Sequence, residues 1–190
     1  MPNPARRTTR KTAFHREVHR IGLVSDTHGF FHPALNQVLN GVEEILHAGD
    51  VGSKAVIELL GRIAPVTAVS GNVDVGSTSL VYPAFARRDL YGIRVLITHY
   101  VGTPESPMPP VAEAIKAERP GLVLSGHTHK PAVENRLGVL YVNPGSCGPR
   151  RFRLPISCGV LSLKKTAGAV EAHVALFDLE TGGSLEWVDE

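Results

Sequence analysis

The amino-acid sequence predicts a single α/β domain in which two mixed sheets are stacked and the helices lie outside them. Short apolar runs alternate with helix-like segments in the first half of the chain, a pattern typical of parallel strands joined by right-handed crossovers. The second half has several strands in succession, which favours antiparallel pairing. The composition, 43% hydrophobic and 20% charged over 190 residues, is that of a globular chain able to bury one core.

The first half of the chain supplies the βαβαβ pattern. Its predicted strands are apolar runs, and its helices start at Pro33, which suits a first helical turn, and after Ser53, which suits an N-cap. The predicted elements are a strand at Ile21–Ser25, a helix at Pro33–Leu39, a strand at Val42–Leu46, a helix at Ser53–Leu60 and a strand at Pro65–Ser70.

The second half is predicted to be richer in strands. Turn signals at Tyr91-Gly92 and Leu137-Gly138 predict two hairpins, and the Pro-rich stretch Gly102–Pro110 is a long loop of the kind that is often functional. One helix is expected, at Pro109–Ala117. The predicted strands are Val81–Arg87, Ile93–Thr98, Leu122–Ser125, Ala132–Asn135, Val139–Val142, Gly159–Leu163, Val170–Leu176 and Leu185–Val188.

The net charge of +2 conceals an asymmetry between the N-terminus and the rest. Residues 1–20 carry six Lys or Arg against Glu17 alone, whereas the remainder has 14 basic and 17 acidic residues. We therefore predict a disordered basic extension over residues 1–19 and one domain over residues 20–190. Because residues 21–190 form an acidic body with a net charge of −3, we do not expect it to attract nucleic acid electrostatically as a partner.

The expected setting is the cytoplasm. No stretch approaches the roughly 18 apolar residues of a membrane span, and the basic extension lacks the apolar core of a secretory signal. The two cysteines, Cys147 and Cys158, fit reduced thiols better than a disulfide framework. A homo-oligomer is compatible with the sequence.

Five short polar motifs carry the functional signal, because each follows an apolar run. They are Ser25-Asp26-Thr27-His28-Gly29, His47-Ala48-Gly49-Asp50, Gly71-Asn72-Val73-Asp74, Thr98-His99 and Gly126-His127-Thr128-His129. Open α/β sheets bind ligands beyond the carboxyl ends of their strands, so the five motifs should emerge at one edge. In extended backbone, residues i and i+2 point the same way, which would aim Asp26 with His28, and His127 with His129, into one cavity.

Taken singly, most of these motifs have an ordinary structural explanation. Asp26 before a helix suits a cap, Asp50 followed by Gly52 suits a turn, and Gly71-Asn72 suits a loop. Their combination is different, since carboxylates, imidazoles and an amide oxygen together suit manganese, iron, zinc, nickel or cobalt better than an all-oxygen magnesium or calcium site. Two adjacent cations would need a shared anionic oxygen, and their excess positive charge favours a phosphate ester.

The ordered set Asp26-x-His28, Gly49-Asp50, Gly71-Asn72, His99 and Gly126-His127-x-His129 resembles the calcineurin-like metallophosphoesterase superfamily. With Asn143-Pro144-Gly145-Ser146, it is similar to the small single-domain bacterial and archaeal phosphodiesterases of that superfamily. The resemblance covers roughly residues 20–165. It implies a four-layer α/β/β/α sandwich with two divalent metal ions, Mn²⁺ foremost and Ni²⁺, Fe²⁺, Zn²⁺ or Co²⁺ as alternatives.

The resemblance also implies the ligand sets and the chemistry. One metal would be held by Asp26, His28, Asp50 and His129, and the other by Asp50, Asn72, His99 and His127. Asp50 would bridge the metals and Asn72 would also touch the phosphate, which makes these two the expected catalytic residues. Many relatives carry a histidine after the asparagine to assist the leaving group, and here that position is Val73.

Four further residues are assigned supporting roles. His47 and Asp74 are expected behind the ligands rather than among them. Arg150 and Arg151 either enter the crevice, where arginine suits phosphate geometry, or belong to a solvated surface run.

The leading hypothesis is hydrolysis of a small phosphoester, most plausibly a phosphodiester, by in-line attack of a metal-bridging hydroxide. One alternative is a catalytically weak or inactive protein-interaction scaffold of the retromer type, in which relatives have lost metal ligands. Another is a nuclease, against which the acidic body argues.

Overall fold

The computed structural model describes residues 18–74 and 82–185. Within them the chain forms eleven strands and three helices. The helices are α1 (Leu35–Val38), α2 (Lys54–Leu60) and α3 (Pro109–Glu118). The strands are β1 (Val18–Val24), β2 (Glu44–His47), β3 (Val66–Ala68), β4 (Phe85–Leu90), β5 (Ile93–Thr98), β6 (Leu122–Leu124), β7 (Ala132–Arg136), β8 (Val139–Asn143), β9 (Ser157–Thr166), β10 (Ala169–Asp178) and β11 (Ser184–Leu185).

The strands make two mixed sheets. The six-stranded sheet has the order β11-β10-β9-β1-β2-β3, in which β1, β2 and β3 are parallel and the others antiparallel. The five-stranded sheet has the order β4-β5-β6-β8-β7, in which β5, β6 and β8 are parallel. The parallel strands of each sheet direct their carboxyl ends toward the same edge, as the sequence predicts.

Three apolar clusters show how the layers stack. Side chains of both sheets meet in the first cluster, which includes Leu23 of β1 and Ile97 of β5. The second joins the six-stranded sheet to α1 and α2, with Ile45 against Leu35. The third joins the five-stranded sheet to α3 through Val111. The order is therefore helix, sheet, sheet, helix, and the predicted α/β/β/α class is confirmed.

Local sequence signals account for several elements. Ser53 accepts a hydrogen bond from the Ala55 amide at 3.2 Å, so the predicted N-cap of α2 is present. Two prolines begin α3, where their missing amides leave no intrahelical bond unmade. The turns Tyr91-Gly92 and Leu137-Gly138 both have positive φ at both residues, as two-residue hairpins require.

Several predicted boundaries move. The strand expected at Val81–Arg87 lies at Phe85–Leu90, because pairing with β5 across the Tyr91-Gly92 turn fixes its register; residue 81 is outside the described residues. The helix expected at Pro33–Leu39 is a single turn. Of the strand expected at Leu185–Val188, only the start is described, as part of β11.

The ends of the chain add two facts. β1 begins at Val18, so Val18 and His19 pair with β9 and belong to the sheet rather than to the basic extension. Residues 1–17, on which the rest of the extension prediction falls, lie outside the described residues. In the described part of the chain, no helix is both long and apolar enough to cross a membrane.

Candidate metal centre

The polar motifs after β1, β2, β3, β5 and β6 meet at one end of the two stacked sheets. His129 Nε2 lies 3.2 Å from Asp26 Oδ1, and His99 Nε2 lies 3.4 Å from Asp50 Oδ1, so each contact joins one sheet to the other. The structure thus brings together the whole set that the sequence singled out, called here the ligand cluster. Its members are Asp26, His28, Asp50, Asn72, His99, His127 and His129.

Two triads in the ligand cluster have the spacing of metal ligands. In the first, Asp26, His28 and His129 place one donor atom each within 4.8 Å of the others. In the second, Asp26, Asp50 and His99 do the same. Because the triads share Asp26, the two groups of donors are adjacent rather than separate.

One carboxylate oxygen of Asp26 is fixed by hydrogen bonds, and the other is left available to a ligand. Its Oδ2 accepts hydrogen bonds from Ser25 Oγ at 2.6 Å and from the His127 amide at 3.0 Å. Its Oδ1 is buried without a hydrogen-bond partner and faces the imidazoles of His28 and His129. A buried charged oxygen with no donor is strongly unfavourable in a metal-free site, so this oxygen fits a bound cation.

Asp50 presents its two oxygens in different directions. Oδ1 faces His99 and accepts the Val73 amide at 3.0 Å, whereas Oδ2 lies 3.8 Å from His28 Nε2. Burial by itself raises the pKa of this carboxyl, but His99, the Val73 amide and His28 outweigh it and lower the pKa to about 2. Asp50 is therefore an anion near neutral pH.

The ring of His99 is fixed by its back nitrogen. Nδ1 donates to the Ala48 carbonyl at 2.8 Å, which leaves Nε2 toward Asp50 and without a hydrogen-bond partner. Burial lowers the pKa of His99, yet the Asp50 carboxylate and the Ala48 carbonyl raise it above the usual value. A metal must displace that proton, so metal binding here should weaken in acid.

His28 and His129 form a close imidazole pair. Their Nε2 atoms are 3.2 Å apart, a separation that two protonated rings would not tolerate. The pKa of His28 is lowered, first by burial and then by the Arg151 cation, against the opposing effect of the two aspartates. The unprotonated ring keeps a lone pair for a metal. His129 Nδ1 is a third buried atom without a partner in the described residues.

Asn72 and His127 complete the cluster on its open side. Asn72 Nδ2 lies 3.4 Å from His127 Nδ1, and the His127 ring packs edge-on against that of His99 with centroids 5.2 Å apart. These two side chains are more exposed than the aspartates. They therefore stand where a substrate would first meet the cluster.

The backbone of the ligand cluster differs from the sequence-based expectation. Five of its members have a positive φ, between 47° and 70°, which is uncommon for residues other than glycine. They are Asp26, His28, Asp50, His127 and His129. The paired residues at i and i+2 therefore face one cavity through left-handed turns, and the expected extended backbone is wrong. Such backbone strain concentrates at functional sites.

Two glycines allow this close packing. A Cβ at Gly49, where φ is +92°, would lie 2.8 Å from His99 Nδ1. A Cβ at Gly126 would lie 2.5 Å from Asp26 Oδ2 and would overlap Ser25 Oγ. Side chains at either position would displace the cluster itself.

Asp74 and His47 lie behind the cluster, as expected. Asp74 accepts hydrogen bonds from the amides of Val51, Gly52 and Gly71 at 2.8–3.1 Å, and so joins the loop after β2 to the loop after β3. His47 is fully buried and uses both ring nitrogens, one toward Thr27 Oγ1 and one toward the Gly49 amide. Neither nitrogen of His47 is left for a metal.

Comparison with known proteins agrees with this geometry. Residues 20–166 match the model of the calcineurin-like phosphoesterase superfamily domain. The chain belongs to that superfamily. It is 32% identical over 137 residues to a probable metallophosphoesterase of Methanocaldococcus jannaschii, covering 66% of this chain and 67% of that one. It is 28% identical over 171 residues to a phosphodiesterase of the same organism, covering 81% and 93%.

Solved structures share the fold of this chain. A conserved uncharacterised protein and predicted phosphoesterase from Streptococcus pneumoniae superimposes with a TM-score of 0.67 at 20% identity, covering 87% of this chain and 92% of that one. Vacuolar protein sorting 29 from Cryptosporidium parvum superimposes with a TM-score of 0.65 at 19% identity, covering 86% and 100%. At these identities the likeness shows the fold alone.

The adjacent Arg150 and Arg151 make different contacts. Arg150 donates to the Leu154 carbonyl at 3.1 Å and pairs with Glu180, so its guanidinium is occupied away from the cluster. Arg151 is exposed, and it is near enough to His28 to lower the pKa of that ring. Only Arg151 thus acts electrostatically on the ligand cluster.

Sequence reasoning assigned no role to three residues that hold the cluster in place. Ser25 donates to Asp26, and Ser146 Oγ donates to the Asp26 carbonyl at 2.8 Å. Asn143 donates to the Gly126 carbonyl and to Thr128 Oγ1, both at 2.9 Å, and so braces the loop that carries His127. The signal for Asn143 and Ser146 was the motif Asn143-Pro144-Gly145-Ser146 at the end of strand β8, and the signal for Ser25 was its place beside Asp26 at the end of β1.

Proposed function

We propose that this protein is a dinuclear-metal phosphoesterase that hydrolyses phosphodiesters. The observation that carries the proposal is the orientation of Asp50, whose Oδ1 faces His99 and whose Oδ2 faces His28. A carboxylate that divides its oxygens between two groups of histidines suits a bridge between two cations.

The other members of the ligand cluster form two sets, one on each side of Asp50. Asp26, His28 and His129 would hold one cation, and Asn72, His99 and His127 would hold the other, each set together with Asp50. The partnerless atoms Asp26 Oδ1 and His99 Nε2 support this assignment, because a cation would satisfy each of them.

The donor set favours Mn²⁺, with Fe²⁺, Zn²⁺, Ni²⁺ and Co²⁺ as alternatives, because it mixes imidazoles with carboxylates and one amide. Two such cations, when bound, would supply activation of water as a nucleophile and screening of the charge on the phosphate. The chain's part is to position them, to keep Asp50 ionised and to leave Asn72 within reach of the phosphate.

An activated ester or a diester is favoured over a simple alkyl monoester, because no imidazole follows Asn72. Val73 stands there with 44% of its surface exposed, and it cannot give a proton to a leaving group. Diesters with good leaving groups need that help least. The relative of Methanocaldococcus jannaschii that is named a phosphodiesterase supports the same substrate class. The two free, buried cysteines support a cytoplasmic location.

The test combines metal content with activity. We expect the purified protein, dialysed against Mn²⁺, to hold about two ions per chain and to hydrolyse bis(4-nitrophenyl) phosphate faster than 4-nitrophenyl phosphate. Asp50→Ala should lose bound metal and more than about 100-fold of kcat/KM, exceeding the loss expected from an outer partner. Arg150→Ala is the matched control, since that guanidinium is held by Glu180, and it should behave like the native protein.

Other outcomes would redirect the assignment. A folded protein that takes up no Mn²⁺, Zn²⁺ or Ni²⁺ would contradict the enzymatic proposal and favour the interaction-scaffold alternative. Cleavage of single-stranded DNA in Mn²⁺ at a rate above that of the small diester would favour the nuclease. Cleavage of DNA is not expected, because residues 21–190 carry more acidic than basic residues.

A further inference from the structure

A cavity of about 210 Å³ opens beside the ligand cluster, between the loop after β5 and the strands β7 and β8. It is called here the Tyr100 cavity. Its wall includes Tyr100, Gly126, Thr128, Lys130, Glu134 and Tyr141. Nothing in the ligand assignments above uses this space.

The Tyr100 cavity adjoins the substrate side of the cluster. Gly126 and Thr128 flank His127 in the chain, and the ring of Tyr100 lies 4.4 Å from the ring of His127 between centroids. His127 in turn lies beside Asn72. A phosphate held at Asn72 and His127 would therefore place one of its ester groups at the mouth of this cavity.

The wall of the cavity is preformed. Asn143 fixes the Gly126–Thr128 segment through its two hydrogen bonds. On the opposite side, the loop that begins at Val101 is closed by hydrogen bonds from the Met108 amide to the Val101 carbonyl and between Thr103 and Ser106. The cavity is thus present before any ligand arrives, which is the usual condition of a small-molecule site.

Its chemistry suits a flat ring. Tyr100 and Tyr141 supply aromatic surface, and 41% of Tyr100 is exposed, although it follows a buried strand. Lys130 and Glu134 add one cation and one anion at the wall. Sites for drug-sized ligands run to roughly 300–1,000 Å³, so a cavity of 210 Å³ has room for one ring and its substituents rather than for a whole dinucleotide.

We propose that the Tyr100 cavity binds one ester arm of the substrate, that this arm is a planar aromatic or heteroaromatic group, and that Tyr100 determines the preference for it by stacking. The inference rests on the proposed phosphodiesterase function. It adds the substrate class: diesters with at least one aryl or nucleobase-like arm bind better than dialkyl esters.

The test measures binding, so that it is independent of turnover. Phenylphosphonate and methylphosphonate share a phosphonate head and differ by the ring. Titration calorimetry on the Mn²⁺-loaded protein should give phenylphosphonate about three- to tenfold the affinity of methylphosphonate, the range that an aromatic contact supplies. Tyr100→Leu should abolish the preference, whereas Tyr100→Phe should keep it.

Phe152→Leu is the matched control, because Phe152 is an exposed aromatic residue outside the cavity. It should keep the native preference. Equal affinities for the two phosphonates in the native protein, or an unchanged preference in Tyr100→Leu, would overturn the proposal. Binding preference without hydrolysis of bis(4-nitrophenyl) phosphate would instead contradict the proposed function and leave the cavity assignment supported.

Discussion

His47 should make the stability of the metal-free protein depend on pH. The side chain is fully buried, its Nδ1 accepts a hydrogen bond from the Gly49 amide, and its Nε2 contacts Thr27 Oγ1. Only the neutral ring can accept a hydrogen bond at Nδ1. Protonation would place an N–H at Nδ1 directly opposite the N–H of Gly49, and the two donors would repel. Burial, followed by the repulsion of His99, lowers the pKa of His47 from 6.5 to about 4, against the attraction of Asp26 and Asp74.

The sign and size of the effect follow from those two pKa values. The unfolded chain takes up a proton near pH 6.5 and the folded chain only near pH 4, so stability is complete above pH 6.5 and falls as the pH drops. A pKa difference of about 2.5 corresponds to a total loss of about 3 kcal/mol, of which about 2 kcal/mol should be gone by pH 5.

The assay is urea unfolding of metal-free protein at pH 8, 7, 6 and 5, followed by circular dichroism. His47→Gln cannot take up the proton, so its free energy of unfolding should fall about 2 kcal/mol less than that of the native protein between pH 8 and pH 5. At pH 8 the variant should be less stable by about 1–3 kcal/mol, because the Gln oxygen lies farther from the backbone than Nδ1 and is misplaced to accept from the Gly49 amide. His173→Gln, an exposed substitution in β10, serves as control. Parallel pH profiles for the native protein and His47→Gln would refute the reasoning.

Two further predictions concern the loops of the ligand cluster. Asp74→Asn should weaken Mn²⁺ binding by about 10–100-fold while leaving the fold intact. The reason is that an amide side chain cannot accept hydrogen bonds from all three backbone amides that position Asp50 and Asn72. An unchanged dissociation constant by calorimetry would contradict this role. Val73→His should accelerate hydrolysis of an alkyl diester with a poor leaving group by up to about 100-fold, the lower end of general-acid assistance. It should change the rate of hydrolysis of bis(4-nitrophenyl) phosphate little. Equal acceleration of both substrates in a steady-state assay would argue against proton donation at this position.

The sequence was most informative where a residue able to bind a metal directly follows an apolar strand. The five polar motifs and the edge at which they emerge were predicted from apolar runs followed by Asp, Asn or His. The two stacked sheets were predicted from the mixed strand pattern, and the resemblance to the superfamily implied the four-layer order and the set of seven ligands. The supporting place of Asp74 was predicted as well. Ser53 and the Tyr91-Gly92 turn show why such predictions succeed, since a cap and a two-residue hairpin depend on a few neighbouring residues.

The same reasoning failed where the determining contact is distant in the chain. The left-handed backbone at Asp26 and His28 is set by hydrogen bonds from their amides to the Gly49 and Asp50 carbonyls, which no local pattern encodes. The roles of Ser146 and Asn143 likewise depend on loops more than 15 residues away. Arg150 and Arg151 are adjacent in sequence, yet only tertiary packing assigns one to Glu180 and the other to the vicinity of His28.

The sequence by itself determined which donor atoms this protein has and in what order they follow its strands, because strand ends and ligand chemistry are properties of short segments. The tertiary structure decided which oxygen of Asp26 and Asp50 faces which imidazole, and that Tyr100 and Tyr141 border one cavity. Those outcomes depend on how two separately formed sheets are stacked, and contacts between sheets are set by packing across the core rather than by neighbours in the chain.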